Sequence, residues 1–270
     1  MLTRHLTRPE DLRGSCGKAS GRRVIFLMSE YILFKFRVIN KHLTDCLENG
    51  TIYFAHPTRL NDPFDCRVDI EKAADHAVSN LSGKKKQNLS NLLNLKGLLD
   101  QVQRDTGSVG ICSFSLILED TLLWSHYADE HRGLCLMYEI PDEFINDPKN
   151  QIIGVCAVEY DHNPLTDWFV RNAPENSSID LLEFTVELVK KVFSIKSKPW
   201  EYEKEVRVIR EKEGALSIPK EFLKQVCFGM NTTESDISSI KKLLDDAGYS
   251  VKYCRIKRTK EDFGIRAMEI

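Results

Sequence analysis

The chain has 270 residues, of which 42% are hydrophobic and 29% charged, with a formal net charge of −2. That composition is ordinary for a globular protein long enough to build a large core. The near-neutral balance excludes a whole-molecule field that would draw it onto nucleic acid or an anionic membrane, and no apolar run approaches the roughly 20 residues of a membrane span. The eight cysteines, Cys16, Cys46, Cys66, Cys112, Cys135, Cys156, Cys227 and Cys254, include no Cys-x-x-Cys pair, which argues against a structural metal site. Several sit in apolar runs, where a free thiol behaves as a small core side chain, so the reading is a reduced, cytoplasmic protein.

Residues 1–27 carry Arg4, Arg8, Arg13, Lys18, Arg22 and Arg23 with little periodic apolar content. They read as a flexible basic tail ahead of one α+β domain over 28–270. Within it, residues 31–38 alternate as a strand, and Asn40 caps a short helix with Leu43, Cys46 and Leu47 on one face, stopped by Gly50. Residues 51–55 form a second strand and 57–65 a turn-rich loop ending in Asn61-Asp-Pro-Phe-Asp65. The polar, Leu-spaced stretch 71–106 reads as one or two surface helices inserted between core strands. A strand at 109–115, a helix at 120–130 and strands at 134–140 and 152–160 follow, then an amphipathic helix at 181–193. The chain closes with strands at 205–210, 225–228 and 251–257 and a helix at 234–247. About eight strands and five or six helices in irregular order predict an α+β fold rather than a wound parallel sheet. No repeat or Gly/Ser-rich linker divides the chain.

The most informative segment is Trp200-Glu-Tyr-Glu-Lys-Glu-Val-Arg207. Read as the mouth of a strand, it puts Glu201, Glu203 and Glu205 on one face. Three neighbouring carboxylates repel one another unless a cation, a substrate or solvent takes up the charge. An edge strand guarded by charges would also carry them, and Arg207 on the same face could pair with Glu205 or Glu203 and make the cluster structural.

Other constellations accompany it. Ser113 and Ser115 share one face of an apolar strand, where buried hydroxyls need partners. Trp124, His126, Tyr127 and His131 gather aromatic and titratable groups in one helix and its cap; the two histidines are off the spacing a helix uses for a metal. Asn61 stands in a self-bonded turn motif. Phe34-Lys-Phe-Arg37 sets a guanidinium, suited to forked phosphate contacts, beside aromatic residues on the first strand.

Taken in order, Phe34-Lys-Phe-Arg37, Leu60-Asn-Asp-Pro-Phe-Asp65, Cys112-Ser-Phe-Ser115, Leu123-Trp-Ser-His-Tyr-Ala128 and Trp200-Glu-Tyr-Glu-Lys-Glu-Val-Arg207 resemble the bacterial family catalogued as domain of unknown function 2971. More distantly, an Arg on the first core strand, a Ser-x-Ser on a middle strand and a Glu-x-Glu on a late strand are similar to the Arg–Ser–Glu signature of ADP-ribosyltransferases. That resemblance implies a split, mostly antiparallel β-sheet core with flanking helices, and NAD as substrate. On it, Arg37 holds the NAD phosphates, Ser113 braces the cleft with Ser115 beside it, Glu205 is the catalytic carboxylate and Glu203 contacts the acceptor. Trp124, His126, Tyr127 and Asn61 complete the NAD site. It further implies a macromolecular acceptor (protein or nucleic acid), deployment as a bacterial toxin or anti-phage effector, and an antitoxin or other regulatory protein as partner.

The chemistry suits these residue types. Cleaving the nicotinamide–ribose bond passes through an oxocarbenium-like state that a carboxylate beside the sugar stabilises. Two readings of other classes remain open at this point: a non-catalytic ligand- or partner-binding module whose Glu/Arg cluster is an ion-pair network, and a metal-dependent phosphoesterase using Asp62, Asp65, His126 and the glutamates. The basic run Lys252, Arg255, Lys257, Arg258 and Lys260 could meet RNA or DNA as acceptor.

Overall fold

A computed structural model describes residues 30–62, 64–66, 68–95, 97–175, 180–259 and 263–270. The expected tail over 1–27, and Lys260, lie outside the described residues. Strand β1 (Glu30–Arg37) leads into helix α1 (Lys41–Glu48). Asn40 opens that helix by accepting a 3.0 Å hydrogen bond from the Leu43 N–H, and the helix buries Leu43, Cys46 and Leu47. Gly50 ends it at φ +58°, a left-handed conformation that glycine adopts without strain.

The remaining elements are β2 (Thr51–Phe54), α2 (Ile70–Asn80), α3 (Gly83–Leu93), α4 (Leu98–Gly107), β3 (Gly110–Ser115), α5 (Thr121–Tyr127), β4 (Leu134–Pro141), α6 (Asp142–Asn146), β5 (Ile152–Ala157), β6 (Glu159–Asp161), α7 (Pro164–Asn172), α8 (Leu181–Phe193), β7 (Ile195–Ser197), β8 (Glu205–Arg210), β9 (Gly214–Ser217), β10 (Leu223–Phe228), α9 (Glu234–Asp246), β11 (Lys252–Arg258) and β12 (Ile265–Glu269). The expected strand over 152–160 is thus two, β5 and β6, and α6, α7, β7, β9 and β12 have no counterpart in the sequence reading.

Eight strands form one sheet in the order β12-β11-β10-β4-β1-β3-β8-β5, antiparallel throughout except for β10 beside β11. The fold is α+β with a large, mostly antiparallel sheet. Alternation along β4 shows how its two faces are covered. Leu134, Leu136, Tyr138 and Ile140 enter the main core with residues of α1 and α9, while Cys135 enters the core beneath α5.

The stretch expected as surface helices folds instead as α2, α3 and α4, which build a separate apolar core with α7 and α8. Ala77, Leu89, Val102, Phe169 and Leu188 are its fully buried members. An amphipathic helix needs a partner for its apolar stripe, and here the inserted helices supply one another's. Cys227 and Cys254, read as free core thiols, stand opposite each other on paired parallel strands with Cα atoms 4.5 Å apart, and are joined as a disulfide. Cys46, Cys66, Cys112, Cys135 and Cys156 are free.

The sheet is unevenly stitched. β1 pairs with β4 along eight residues, but with β3 at one position, Phe34 opposite Ser115. Further along, the edge of β3 is taken by Ala55, which exchanges two 2.8 Å backbone hydrogen bonds with Ile111. The sheet therefore splays between β1 and β3. Among the described residues, no helix is long and apolar enough to cross a membrane.

Candidate functional site

A cleft of about 320 Å³ opens where β1 and β3 part. β1 contributes Lys35 and Arg37 and β3 contributes Ser113 and Ser115, while His42, Tyr53 and Arg59 close one end. The Lys35 ammonium donates to the Ser113 carbonyl at 2.7 Å across the splayed seam, and the Arg59 guanidinium donates to the Tyr53 hydroxyl at 3.0 Å. Arg37 stands three residues from the Phe34–Ser115 pair, roughly 10 Å along the strand. Among the described residues it makes no ion pair.

The other end is acidic, and the backbone there differs from the expected strand. Residues Lys198–Glu203 form a 3-10 turn with proline in its first positions, and Lys204 is left-handed at φ 45°. The strand starts only at Glu205. Glu201 is therefore not on the face of Glu203 and Glu205; it points out and pairs with Lys198 at 2.9 Å. The Ser115 hydroxyl fastens the turn to β3, donating to the Glu203 carbonyl at 2.6 Å and accepting from the Ile117 N–H at 3.1 Å. The Tyr160 hydroxyl accepts the Glu205 N–H at 2.8 Å.

Glu203 and Glu205 turn inward to a buried ionic cluster with Asp65, Lys196 and Arg207. The Lys196 ammonium lies 2.6 Å from Glu203, 3.2 Å from Glu205 and 3.4 Å from Asp65. The Arg207 guanidinium, fully buried, donates to Glu205 at 2.8 and 3.0 Å and to Asp65 at 2.6 Å, and caps the Phe193 carbonyl at 2.9 Å. The free oxygen of Glu203 accepts a short hydrogen bond from the Tyr127 hydroxyl, which itself accepts from the Asn61 amide at 2.7 Å. A continuous chain of hydrogen bonds thus runs from Asn61 through Tyr127, Glu203, Lys196 and Glu205 to Arg207.

The two glutamates titrate differently for physical reasons. Burial alone would raise Glu205, but Arg207, Lys196 and a hydrogen bond from Ser113 outweigh it and hold the carboxyl down to about 2. Burial pushes Glu203 up, with only partial relief from Lys196 and Tyr127. Burial and the hydrogen bond to Glu203 keep the Tyr127 phenol protonated far above its ordinary value. Lys196 loses hydration, yet the three carboxylates around it raise its value.

Of the residues singled out from sequence, Arg37, Asn61, Ser113, Ser115, Tyr127, Glu203 and Glu205 line this one cleft. Trp124 and His126 do not. Helical spacing turns Leu123 and Tyr127, one turn apart, toward the cleft, and points the residues between them elsewhere. Trp124 is fully buried behind it, edge-on to Phe36 at 5.2 Å with its Nε1–H donated to the Leu118 carbonyl, so it cannot stack on a ligand there. His126 is exposed and its Nδ1 meets the Tyr202 hydroxyl at 2.8 Å. Lys196, the hub of the cluster, went unnoticed. Its only signal in the sequence is a lysine directly after Val192-Phe-Ser-Ile195. No group of three or more His, Cys, Asp or Glu among the described residues is placed to hold a metal ion.

Fold and site together define an α+β protein with a splayed antiparallel sheet and a charged cleft at the splay. A family model described as Protein of unknown function (DUF2971) matches residues 123–208. The match supports the resemblance to that family, and spans Tyr127, Lys196, Glu203, Glu205 and Arg207. No curated protein and no solved structure matches the chain.

Proposed function

We propose that the cleft binds NAD and that the protein breaks its nicotinamide–ribose bond, passing the ADP-ribosyl group to a macromolecular acceptor. The observation that carries this reading is a charge imbalance. Among the described residues, Asp65, Glu203 and Glu205 face Lys196 and Arg207 in the buried cluster, three carboxylates to two cations, which leaves one negative charge uncompensated. It falls on Glu203, the member tied to Tyr127 at the cleft and disfavoured by burial. Arg37 sets positive charge elsewhere in the same cleft, where Arg59 is paired with Glu213 at 3.6 Å. A dipolar cleft fits a dipolar ligand, and NAD carries a cationic nicotinamide ring and an anionic pyrophosphate.

In this reading Glu203 takes the central role and Glu205 is held in place by Arg207. The C1′–N bond breaks with its electron pair leaving on nicotinamide, which departs neutral. The ribosyl cation formed is stabilised by the Glu203 carboxylate until a nucleophile of the acceptor, or water, attacks C1′ and gives up its proton. The test is nicotinamide release from NAD by the purified chain. Glu203→Gln is expected to lower the rate by about 10²–10³, the scale of losing one transition-state charge contact, while the melting temperature stays level or rises because two carboxylates then share two cations. No release above a protein-free control rejects the reading.

A second reading is favoured by the Arg207 geometry. A guanidinium that binds Glu205 twice and reaches both oxygens of Asp65 is the pattern of an ion-pair network holding a non-catalytic binding module. Saturable NAD binding by calorimetry without nicotinamide release selects it.

A further inference from the structure

The two carboxylate oxygens of Glu203 are held differently. Oε2 accepts from the Lys196 ammonium at 2.6 Å, while Oε1 accepts from the Tyr127 hydroxyl. An ionised carboxylate can only accept, so the single hydroxyl proton of Tyr127 is committed to Glu203. The phenol oxygen is then free to act as acceptor, and the Asn61 amide donates to it at 2.7 Å. Both bonds therefore run one way, from amide to phenol to carboxylate, and a hydroxyl that accepts one hydrogen bond donates the next more strongly. The relay joins the loop after β2 to the last turn of α5, and all three side chains line the cleft. The backbone of Glu203 is fastened separately, by the Ser115 hydroxyl on its carbonyl at 2.6 Å. The Tyr127 bond thus acts on the carboxylate and not on the course of the turn.

We infer that Tyr127 is the positioning residue for Glu203: its hydroxyl, aligned by Asn61, keeps the carboxylate ionised at the cleft wall. This rests on the NAD reading, in which Glu203 has to carry its charge when the ribosyl cation forms. Among the described residues, the other charged and titratable groups around Glu203 are Lys196 from β7, Glu205 from β8, Asp65 from the loop after β2, Tyr202 from the turn before β8 and Tyr160 from β6. Arg207 stands behind Glu205. Burial raises Glu203 most, Lys196 and Tyr127 work against it, and Glu205 adds to it. Tyr127 thus does part of a cation's work without bringing a charge. A hydrogen bond donated to the ionised form favours that form, so its removal makes Glu203 easier to protonate.

The experiment compares the unmodified chain with Tyr127→Phe, which deletes the hydroxyl and keeps the ring. Two readouts are followed against pH: the ¹³C shift of the Glu203 carboxyl, assigned by its loss in Glu203→Gln, and the rate of nicotinamide release from NAD. Tyr127→Phe is expected to move the carboxyl midpoint up by about one pH unit, the scale of one hydrogen bond to a charged group. The acid limb of release is expected to move with it, the two proteins converging where Glu203 is ionised in both. An unmoved carboxyl midpoint overturns the inference. So does release lowered by one factor at every pH, the mark of a merely structural loss. Should the unmodified chain release no nicotinamide, the NAD reading fails, and the carboxyl titration still decides whether Tyr127 governs Glu203. Should Tyr127→Phe fail to fold, Asn61→Ala at its exposed position takes its place: a midpoint moved up supports the inference and an unmoved one overturns it.

Discussion

Replacing Arg207 by methionine removes the most deeply buried cation in the cluster. Its guanidinium makes five hydrogen bonds, to Glu205 at 2.8 and 3.0 Å, to Asp65 at 2.7 Å, to the Phe193 carbonyl at 2.9 Å and to the Cys66 sulfur at 3.1 Å. Without it, among the described residues three buried carboxylates at the wall of the cleft are left to Lys196. Deleting one partner of a buried ion pair costs about 3–5 kcal/mol, and the stranded carbonyl adds about 1 kcal/mol. Against a typical domain stability of about 5–15 kcal/mol, the variant should unfold at a much lower urea concentration. Tryptophan fluorescence follows this readily, since Trp124 lies in the core beneath α5 and Trp168 packs on the second core. The decisive comparison is Arg207→Met combined with Glu205→Gln. Removing the stranded charge should recover part of the loss, because the two sites are coupled. A loss below about 1 kcal/mol, the range of an exposed ion pair, or a double variant no more stable than the single one, refutes the account of the cluster as mutually compensating buried charge.

Two further predictions follow from other features. Glu205 is held down to about 2 from an ordinary value near 4.5, so the stability it contributes is complete above pH 4.5 and is lost as pH falls through 2. Glu203, raised by burial, acts with opposite sign, its ionised form destabilising the fold until protonation relieves it. Melting temperatures measured between pH 5 and 2 should therefore fall, and Glu205→Gln should flatten that fall; equal slopes would contradict the assignment. Gly229→Ala would place a Cβ 2.0 Å from the His131 carbonyl oxygen. The turn it strikes, Asp129 to His131, holds three successive left-handed residues and has little room to yield. The expected loss is about 1–3 kcal/mol, read as a drop in melting temperature, and an unchanged midpoint would show that the two loops separate freely.

Elements with strong local signals were legible in the sequence. Helix α8 runs from Leu181 to Phe193 as its apolar period predicts, behind Asp180, whose side chain accepts from the Leu182 and Glu183 N–H groups. Strand β8 also begins and ends as read. The acidic segment was misread because a left-handed non-glycine residue such as Lys204 leaves no trace in the pattern of side chains. Trp124 and Tyr127 looked equivalent because helix spacing separates their faces but does not say which face meets β1. The ionic cluster depended on distance along the chain: Asp65 and Lys196 are brought together only by the sheet and the inserted helices. Cys227 and Cys254 could be matched only once the register of two parallel strands was known. Arg37, Ser113 and Glu203 were legible as an ordered set, but their convergence on one space was not.

The single point of pairing between β1 and β3 makes the sheet behave like two leaves bound along a spine. One leaf carries Arg37 and the long β1–β4 ladder; the other carries Ser113, Glu205 and the β3–β8 ladder. A small rotation about that spine breaks few backbone hydrogen bonds, because each leaf keeps its own ladder intact. The cost of widening or narrowing the gap therefore resides mainly in side chains that bridge the leaves, the Lys35–Ser113 bond foremost among them.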